Sequence, residues 1–471
     1  MSGATCPLVV DVDGTLLRTD LLQESFLAAM GRAPVAAASF TAKHLSNRPA
    51  LKLGLADQAG LDSDLLPLNE AVLGLIEEAK SEGRPIVLAS GGAEPLVQAL
   101  ADRIGGVDRV MGTVDGTNLT AGRKAAALVD AYGENGFDYV GDSMADLPVW
   151  AVARRAYLTA PRARVEAGLR RAGIDFEILS PHWRLRDMVR GIRPHQWIKN
   201  SLMFLPLIAA HVSDPAAWLL VFLGAVAFSL GASSIYIVND LLDLSADRRH
   251  ATKHKRPFAA GAVPLRIGAA ASVLLATMAI VLGISLHLHF LAVLLVYICL
   301  SLAYSLKLKR LRWVDIAVLA TLYSLRVLAG AEIVSVDVTG WLLGFIFPSF
   351  LALGCVKRLT ELAKAKSDDR LPGRGYGRAD MGDLTNVAVV GAVAALIVLG
   401  FYIHSGQAQA LYTRHWVLWL AVPFVALWFE RMIRTGRQGL QQYDPIVFAL
   451  RDPKGVALIA VSLFWFVLAS F

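Results

Sequence analysis

The sequence predicts two domains of different class. Up to about residue 183 we expect an α/β domain with a doubly wound parallel sheet and a small helical cap over about 20–80, and from 184 to 471 an all-α membrane bundle of nine transmembrane helices. In the first part, short apolar runs typical of buried strands alternate with helical stretches. In the second part, apolar runs of about 17–23 residues follow one another. Hydrophobic residues make up 55% of the chain and its mean hydropathy is +0.51, which is high for a soluble protein.

Polar side chains follow three predicted strands of the N-terminal domain at the points where those strands end. The strands are predicted over 8–10, 85–89 and 137–140, and a helix opens at Gly122. Ligands of doubly wound sheets bind beyond the carboxyl ends of the strands, so we expect one site there. The side chains that would form it are Asp11, Asp13, Ser90, Lys124, Asp142 and Asp146.

These residues lie in four motifs: DVDGT from Asp11, a strand-end serine, a later lysine and GDSMAD from Gly141. In this order they resemble the motifs of the haloacid-dehalogenase (HAD) phosphohydrolase superfamily, over about residues 6–180, and the helical insert is similar to the cap of its phosphoserine-phosphatase-like branch. The resemblance implies Asp11 as the nucleophile and Asp13 as the general acid and base. It also implies phosphoryl contacts from Ser90 and Lys124, and Mg²⁺ held by Asp11, Asp142 and Asp146. The alternative is a degenerate domain kept for assembly.

An acidic cluster, made of Asn239, Asp240, Asp243 and Asp247, follows the apolar run that begins near residue 216. On a helix these four residues fall within about 100° of arc, so they share one face. Like charges at this spacing repel, and carboxylate oxygens suit Mg²⁺, which takes further ligands from substrate phosphates. Lys253 and Arg256, in the basic stretch just downstream, would bind the remaining phosphate charge. The alternative is a solvated helix end at a membrane surface.

Nine apolar runs are long enough to be candidate membrane spans. They lie near 197–212, 216–238, 265–285, 287–306, 313–334, 339–357, 384–404, 414–430 and 454–471. Lys and Arg concentrate before the first run and after the second, fourth, sixth and eighth, so the positive-inside rule places those segments and the N-terminal domain on the cytoplasmic side of the inner (plasma) membrane. This distribution accounts for the net charge of +7 without a nucleic acid partner. No signal peptide, disulfide framework or cysteine metal site is predicted.

A second polar cluster lies on the same predicted side of the membrane. Tyr304 and Lys307 precede Asp315, and Asp315, Tyr323 and Arg326 fall within about 80° of helical arc, so the last three can face one cavity. Charged residues inside membrane spans are functional candidates by default.

NDxxDxxxD from Asn239, a basic loop, YSLK from Tyr304 and then Asp315, on nine spans, resemble the UbiA superfamily of intramembrane prenyltransferases over about 190–471. RPHQWIKN at 193–200, LRVLAG at 325–330 and YDPIVFAL at 443–450 are similar to its decaprenyl-phosphate phosphoribosyltransferase branch. That branch implies 5-phosphoribosyl diphosphate as donor, a polyprenyl phosphate as acceptor and a product used for arabinose-containing cell-wall polymers. One departure is that Asp315 is followed by Leu319, where many aromatic prenyltransferases of the superfamily complete a second DxxxD.

The resemblance implies a role for each polar residue of the membrane half. Asp240, Asp243 and Asp247, with Asp315, would hold Mg²⁺ on the donor diphosphate. Substrate contacts would come from Lys199, Asn239, Lys253, Arg256, Tyr304, Lys307 and Arg326. The lipid phosphate would attack the anomeric carbon as diphosphate leaves, and the soluble domain would then remove the 5-phosphate. Alternatives are prenyl transfer to an aromatic acceptor, or a transporter or scaffold whose carboxylates bind cations; oligomeric state stays open.

Overall fold

In a computed structural model of the chain, the structure describes residues 6–114, 118–336, 339–365, 371, 374–441 and 444–471. Tyr443, the first residue of the YDPIVFAL motif, lies outside them. The described residues divide into two compact units. The first unit contains the residues up to Ile192 together with Tyr236–Ser272, and the second contains Arg193–Ile235 together with the residues from Val273 onward.

A six-stranded sheet forms the centre of the first unit. Its strands are β1 (Leu8–Val10), β2 (Ile86–Ala93), β3 (Arg109–Thr113), β4 (Asp138–Gly141), β5 (Arg155–Thr159) and β6 (Phe176–Ser180). All neighbouring strands pair in parallel, in the order β3-β2-β1-β4-β5-β6. The predicted parallel sheet is therefore confirmed. β3, β5 and β6 were not predicted; each contains a charged, exposed residue, which leaves a shorter apolar run than a buried strand is expected to have.

Helices cover both faces of this sheet, as the alternation of strands and helices predicts. Leu8 and Val10 of β1 pack into one apolar cluster and Val9 into another, because side chains alternate across a strand. The α-helices of the first unit are Leu21–Arg32, Pro34–His44, Arg48–Ala59, Glu70–Ser81, Glu94–Ile104, Gly122–Tyr132, Leu147–Trp150, Ala163–Arg171, Leu185–Ile192 and Leu244–Arg249. The first four lie between β1 and β2, where the cap was predicted.

The second unit is helical. Eight helices of the described chain are long and apolar enough to cross a membrane. The α-helices that supply them are Pro215–Leu242, Leu265–Leu286, Leu288–Leu306, Val314–Val334, Gly340–Lys364, Met381–His404, Val422–Arg437 and Pro453–Ser470; shorter ones are Leu205–Ala209, Gly406–Leu411 and Pro445–Ala449. Pro215–Leu242 and Leu265–Leu286 each have residues in both units.

The nine predicted spans are thus not confirmed, because the run over 197–212 does not form one long helix. Residues Pro194–Phe204 form a 3₁₀-helix, followed by the short α-helix Leu205–Ala209. Lys199 and Asn200 are buried within this segment, and both make side-chain contacts with other parts of the second unit. Pro206 also lacks the backbone N–H that an uninterrupted helix would need.

Candidate functional sites

The carboxyl edge of the sheet brings the predicted phosphohydrolase residues together. Lys124 Nζ donates to Asp11 Oδ1 at 2.6 Å and lies 3.4 Å from Asp146 Oδ1. Tyr139, at the middle of β4, donates its hydroxyl to Asp146 Oδ1 at 2.7 Å and accepts from Lys124 at 2.9 Å. All of these side chains are buried. Tyr139 was not predicted to belong to the site, although it lies two residues before the last motif, which begins at Gly141.

Asp13 follows Asp11 by two residues in the chain, but its carboxylate has different hydrogen-bond partners. Asp13 Oδ1 accepts from the backbone N–H of Leu21 at 2.7 Å, and Ser90 Oγ donates to Asp13 Oδ2 at 3.3 Å. Lys52, from the cap helix Arg48–Ala59, donates to the carbonyl of Gly91 and to Asn118 Oδ1. Strand ends and cap therefore meet at one site.

Burial and mutual repulsion raise the pKa values of three carboxyl groups at this site. Desolvation raises the pKa of Asp11 to about 6, with Asp146 adding to the rise and Lys124 opposing it. Desolvation, Asp146 and Asp11 raise the pKa of Asp142 to about 7. The pKa of Asp13 is also raised, by desolvation and by the charges of Asp20 and Asp11. A raised pKa suits Asp13 for proton donation, because it favours the protonated form of the carboxyl group.

The same edge offers a set of ligands that fits Mg²⁺. One carboxylate oxygen from each of Asp11, Asp142 and Asp146 lies within 4.8 Å of the others. Such hard oxygen donors are the ones Mg²⁺ prefers. Gly14 lets the backbone approach them, since its φ is +78° and a Cβ would lie 2.7 Å from Asp142 Oδ2. The donor set and the close backbone approach both fit a bound cation.

The acidic motif of the first unit differs from the single helical face that the sequence predicts. The long helix ends at Leu242 and Asp243 caps a second helix, Leu244–Arg249. Arg256 Nη1 lies 3.1 Å from Asp240 Oδ1 and 2.6 Å from Asp247 Oδ2, so one guanidinium joins the two buried carboxylates. Asn239 and Asp243 are half-buried and Lys253 is exposed. Among the described residues, only the phosphohydrolase cluster groups three metal-type ligands.

Asp315 of the second unit lies in a dense cationic network. Arg358 bonds both of its oxygens, at 2.6 and 3.0 Å, and Arg374 lies 3.2 Å from Oδ1. Tyr304 donates to the same Oδ1 at 2.8 Å. Asp315 and Arg358 are fully buried. Lys307 is exposed beyond the end of the helix Leu288–Leu306.

Asp315 and Arg326, which the sequence places on one helical face with Tyr323, bind different polar partners. Arg326 donates to Asn200 Oδ1 at 3.0 Å and to the Tyr297 hydroxyl at 2.9 Å, and its guanidinium lies 5.3 Å from the Tyr323 ring centroid. Arg358, on the neighbouring helix Gly340–Lys364, pairs with Asp315 instead. Helical arc predicts which residues share a face, but neighbouring helices decide which polar partner each one meets.

Asp444 is the centre of a second ionic cluster in the second unit. Its Oδ2 lies 2.9 Å from Lys199 Nζ and 3.1 Å from Lys357 Nζ. Tyr323 donates to Oδ1 at 3.1 Å, and its ring stacks on Phe350 with centroids 4.7 Å apart. Lys199 was predicted; Lys357 and Asp444 were not assigned a role, although Asp444 stands in the quoted YDPIVFAL motif.

An apolar groove of about 950 Å³ adjoins this ionic cluster. Its lining includes Leu202, Phe345, Phe350 and Ile446. Phe350 connects it to Tyr323, and Ile446 follows Asp444 by two residues. An apolar groove beside two ammonium groups, one buried and one half-buried, suits an amphiphile with an anionic head.

Comparison with known sequences identifies both parts of the chain. The profile of the UbiA prenyltransferase family matches residues 201–450, more than half of the chain. The chain belongs to the UbiA prenyltransferase family. A profile described as haloacid dehalogenase-like hydrolase matches residues 8–150. The UbiA family and the hydrolase domain both imply enzymatic activity, and the eight long apolar helices agree with an integral membrane protein.

Two relatives and one solved structure show how far the similarity extends. An uncharacterized protein of Sinorhizobium fredii is 34% identical over 470 residues, covering 98% of this chain and 91% of that protein. The decaprenyl-phosphate phosphoribosyltransferase of Mycobacterium tuberculosis is 29% identical over 272 residues, covering 56% of this chain and 88% of that enzyme. A UbiA homolog from Archaeoglobus fulgidus, solved with GPP and Mg²⁺, matches 59% of this chain and 99% of its own at 12% identity, with a TM-score of 0.47.

Proposed function

We propose that this UbiA family member transfers 5-phosphoribosyl from phosphoribosyl diphosphate to a polyprenyl phosphate, with Mg²⁺, and that its hydrolase domain removes the 5-phosphate from the product. The transferase assignment is supported by the relatives named decaprenyl-phosphate phosphoribosyltransferase. The resulting polyprenyl-phosphoryl ribose would serve cell-wall biosynthesis. A membrane lipid and a soluble phosphosugar are then the two substrates.

The observation that carries the lipid acceptor is the ionic cluster beside the apolar groove of the second unit. A polyprenyl tail needs a large apolar cavity to bind in, and the groove has a volume of about 950 Å³. The phosphate head needs cations, which Lys199 and Lys357 supply. Asp444 keeps the two ammonium groups together when no phosphate is bound, because two unpaired buried cations would repel. Arg326 is also proposed to bind a substrate phosphate, because its guanidinium and the Lys199 ammonium both lie within 6 Å of the Tyr323 ring centroid.

We assign the donor diphosphate to the acidic motif. Asp240, Asp243 and Asp247 are the proposed Mg²⁺ ligands, with Asn239 donating a hydrogen bond. Without donor, Arg256 neutralises Asp240 and Asp247. A bound cation would take over that task and free Arg256, with Lys253, for the diphosphate. Lys307, in the second unit, remains a proposed substrate contact. Tyr304 and Asp315 are proposed to position Arg374, which contacts both. A direct role of Asp315 in binding Mg²⁺ is not proposed, because Arg358 already neutralises its charge.

The proposed transfer is a single displacement at the anomeric carbon. An oxygen of the lipid phosphate forms the new bond to that carbon, and the bond to the diphosphate oxygen breaks. Diphosphate departs with the bonding electrons, so negative charge develops on it in the transition state. Cations held near this group stabilise it more in the transition state than in the ground state, which is how they accelerate the reaction.

The hydrolase step is proposed to use the carboxylates in two roles. Asp11 attacks the phosphorus, and Asp13 gives its proton to the departing ribose 5-oxygen. Asp13 then takes a proton from the water that releases phosphate from Asp11. Lys124 and Ser90 stabilise the phosphoryl oxygens. Mg²⁺ bound by Asp11, Asp142 and Asp146 would neutralise the charge on those oxygens.

Membrane topology follows from the same proposal. The helix Pro215–Leu242 is long enough to cross a bilayer, yet residues on both sides of it in the chain, up to Ile192 and from Tyr236, belong to one compact unit. The segment 193–214 would therefore also cross, as the 3₁₀-helix and short α-helix described above. Such backbone is tolerated at membrane depth where protein buries it. With the positive-inside rule, the first unit is proposed to face the cytoplasm from the inner membrane.

One reconstitution experiment tests both activities. Purified full-length protein is incubated with Mg²⁺, phosphoribosyl diphosphate and a polyprenyl phosphate, and lipids are identified by mass spectrometry. The wild type should form ribosyl lipid without the 5-phosphate, whereas Asp11→Asn should accumulate phosphoribosyl lipid. Asp130→Asn, an exposed change on the helix Gly122–Tyr132, is the matched control and should behave as wild type. Phosphate-free lipid from Asp11→Asn would contradict the hydrolase role.

The second candidate is transfer of a prenyl group from its diphosphate to an aromatic or other acceptor, which membership of a prenyltransferase family favours. A competition assay separates the two reactions. Phosphoribosyl diphosphate and a prenyl diphosphate are offered together, and the released diphosphate is traced to its donor. Consumption of the prenyl diphosphate alone would replace the phosphoribosyl assignment.

A further inference from the structure

The cavity of the hydrolase domain is lined by part of the chain that follows the acidic motif. This cavity of about 580 Å³ contains Asp11, Asp13, Lys124, Asp142 and Asp146. Its wall also includes Gly261, Ala262, Pro264, Leu265 and Arg266, all of which belong to the first unit. The haloacid dehalogenase-like match ends at residue 150, so these wall residues lie outside it.

Specific contacts hold this wall in place. Arg248 bonds Glu24 through two nitrogens, at 3.0 and 2.6 Å, and donates to the carbonyl of Ala259 at 2.9 Å. Gly261 has a φ of +63°, and a Cβ there would lie 2.6 Å from the Cβ of Arg18. The wall therefore packs closely enough on the hydrolase residues to take part in substrate recognition.

Two guanidinium groups, those of Arg162 and Arg266, line this cavity. Arg162 Nη2 lies 3.6 Å from Asp142 Oδ2. Arg266 is exposed at this cavity, and in the described part of the chain its side chain forms no hydrogen bond and no ion pair within 4 Å. Burial lowers the pKa of Arg162, and the like charge of Arg266 lowers it further. Once Asp142 binds a cation, its charge no longer offsets these two arginines.

The position of Arg266 adds to the argument. Arg266 lies in the first turn of the 22-residue helix Leu265–Leu286. A cation in the first turn is opposed by the positive end of the helix dipole. A bound anion removes both that opposition and the repulsion between Arg162 and Arg266.

We propose that Arg162 and Arg266 form a second-anion subsite of the hydrolase cavity. It binds a phosphate or phosphodiester carried by the same substrate as the phosphomonoester that is hydrolysed. Resting on the proposed function, this subsite would hold the phosphodiester that joins ribose to the lipid, while Asp11 and Lys124 hold the 5-phosphate. A soluble sugar bisphosphate has the same chemistry and is the other source that the test must separate.

The test compares substrates that differ only in the second anion. Full-length protein with Mg²⁺ is given ribose 5-phosphate, ribose 1,5-bisphosphate or a short-chain alkylphosphoryl ribose 5-phosphate, and release of the 5-phosphate is followed by ³¹P NMR. For the wild type we expect kcat/KM to be roughly 10- to 100-fold higher for the two-anion substrates, the range for a charge-assisted hydrogen bond. Arg266→Ala should lose most of this preference and Arg266→Lys should keep part of it.

Arg171→Ala is the matched control, because Arg171 is exposed on the helix Ala163–Arg171 and, among the described residues, donates only to the carbonyl of Ala167. It should keep the wild-type preference. An equal loss on all substrates in Arg266→Ala, or an unchanged preference, would overturn the subsite. If the wild type prefers ribose 1,5-bisphosphate but leaves the alkyl substrate intact, the subsite stands and the ribolipid function fails. If it hydrolyses the alkyl substrate and ribose 5-phosphate equally well, the subsite fails and the function stands.

Discussion

The Arg248–Glu24 ion pair gives a sharp test of how the segment after the acidic motif is held. The two side chains are only 5% and 2% exposed, and Thr19 also donates to Glu24 at 2.8 Å. Arg248→Met leaves the Glu24 carboxylate buried without its cation, which costs about 3–5 kcal/mol. We expect amide hydrogen exchange in the helices Leu21–Arg32 and Leu244–Arg249 of the full-length protein to become roughly 100-fold faster or more, since each 1.4 kcal/mol is tenfold.

The neighbouring residue provides the control. Arg249 pairs with Asp62 at a similar distance of 3.0 Å, but these side chains are 65% and 40% exposed. An exposed pair contributes about 0–1 kcal/mol, so Arg249→Met should change exchange less than about tenfold. The double variant Glu24→Gln with Arg248→Met should recover part of the loss, because no charge is then left buried. Equal effects of the two arginine substitutions would refute the reasoning.

Three further predictions follow from single sites. Gly14→Ala should abolish phosphate release, because its Cβ would lie 2.7 Å from Asp142 Oδ2. Gly83→Ala is the control: its φ of +70° is similar, but its Cβ would have nothing within 4 Å, so this substitution should change stability alone. Phosphate-release assays and melting curves compare the two variants. Asp11 and Asp142 bind more protons folded than unfolded between pH about 4 and 7, since their pKa values rise from 3.8 to about 6 and about 7. Without Mg²⁺, their contribution to stability therefore falls as pH rises through that range, and Mg²⁺ should stabilise the protein more at pH 8 than at pH 5.5 in thermal melts; equal stabilisation would contradict this. Asp444→Asn should abolish lipid transfer, because it leaves Lys199 and Lys357 without their shared counter-ion. Asp383→Asn, at an exposed position, should keep wild-type transfer. Assays of ribolipid formation compare the two variants.

Much of the hydrolase site could be predicted because its residues follow strands. The end of a strand in a parallel sheet is defined by local sequence, and the fold brings such ends to one edge. Asp11, Asp142 and Asp146 meet there as expected. Tyr139 and Arg266 could not be predicted in the same way. Tyr139 is part of an apolar stretch that predicts only a strand, and its contacts with Asp146 and Lys124 depend on the fold. Arg266 lines the cavity although it lies more than a hundred residues after the GDSMAD motif.

In the membrane half, the features that local sequence predicts differ even more clearly from those that depend on tertiary contacts. Apolar run length predicts nine spans. Eight of them correspond to long helices in the described residues, and the prediction fails for 197–212, where buried polar side chains lie in the segment. The charged residues themselves stand out in the sequence, because each is costly in an apolar span.

Two domains, a parallel sheet, the apolar helices and the charged residues can be predicted from the amino-acid sequence alone, since these features depend on periodicity and composition over short stretches of chain. Only the tertiary structure decided which charges meet: Arg358 with Asp315, two lysines with Asp444, and Arg256 between Asp240 and Asp247. Electrostatic pairing acts over a few ångströms in space, whereas these partners are separated by between nine and more than two hundred residues along the chain.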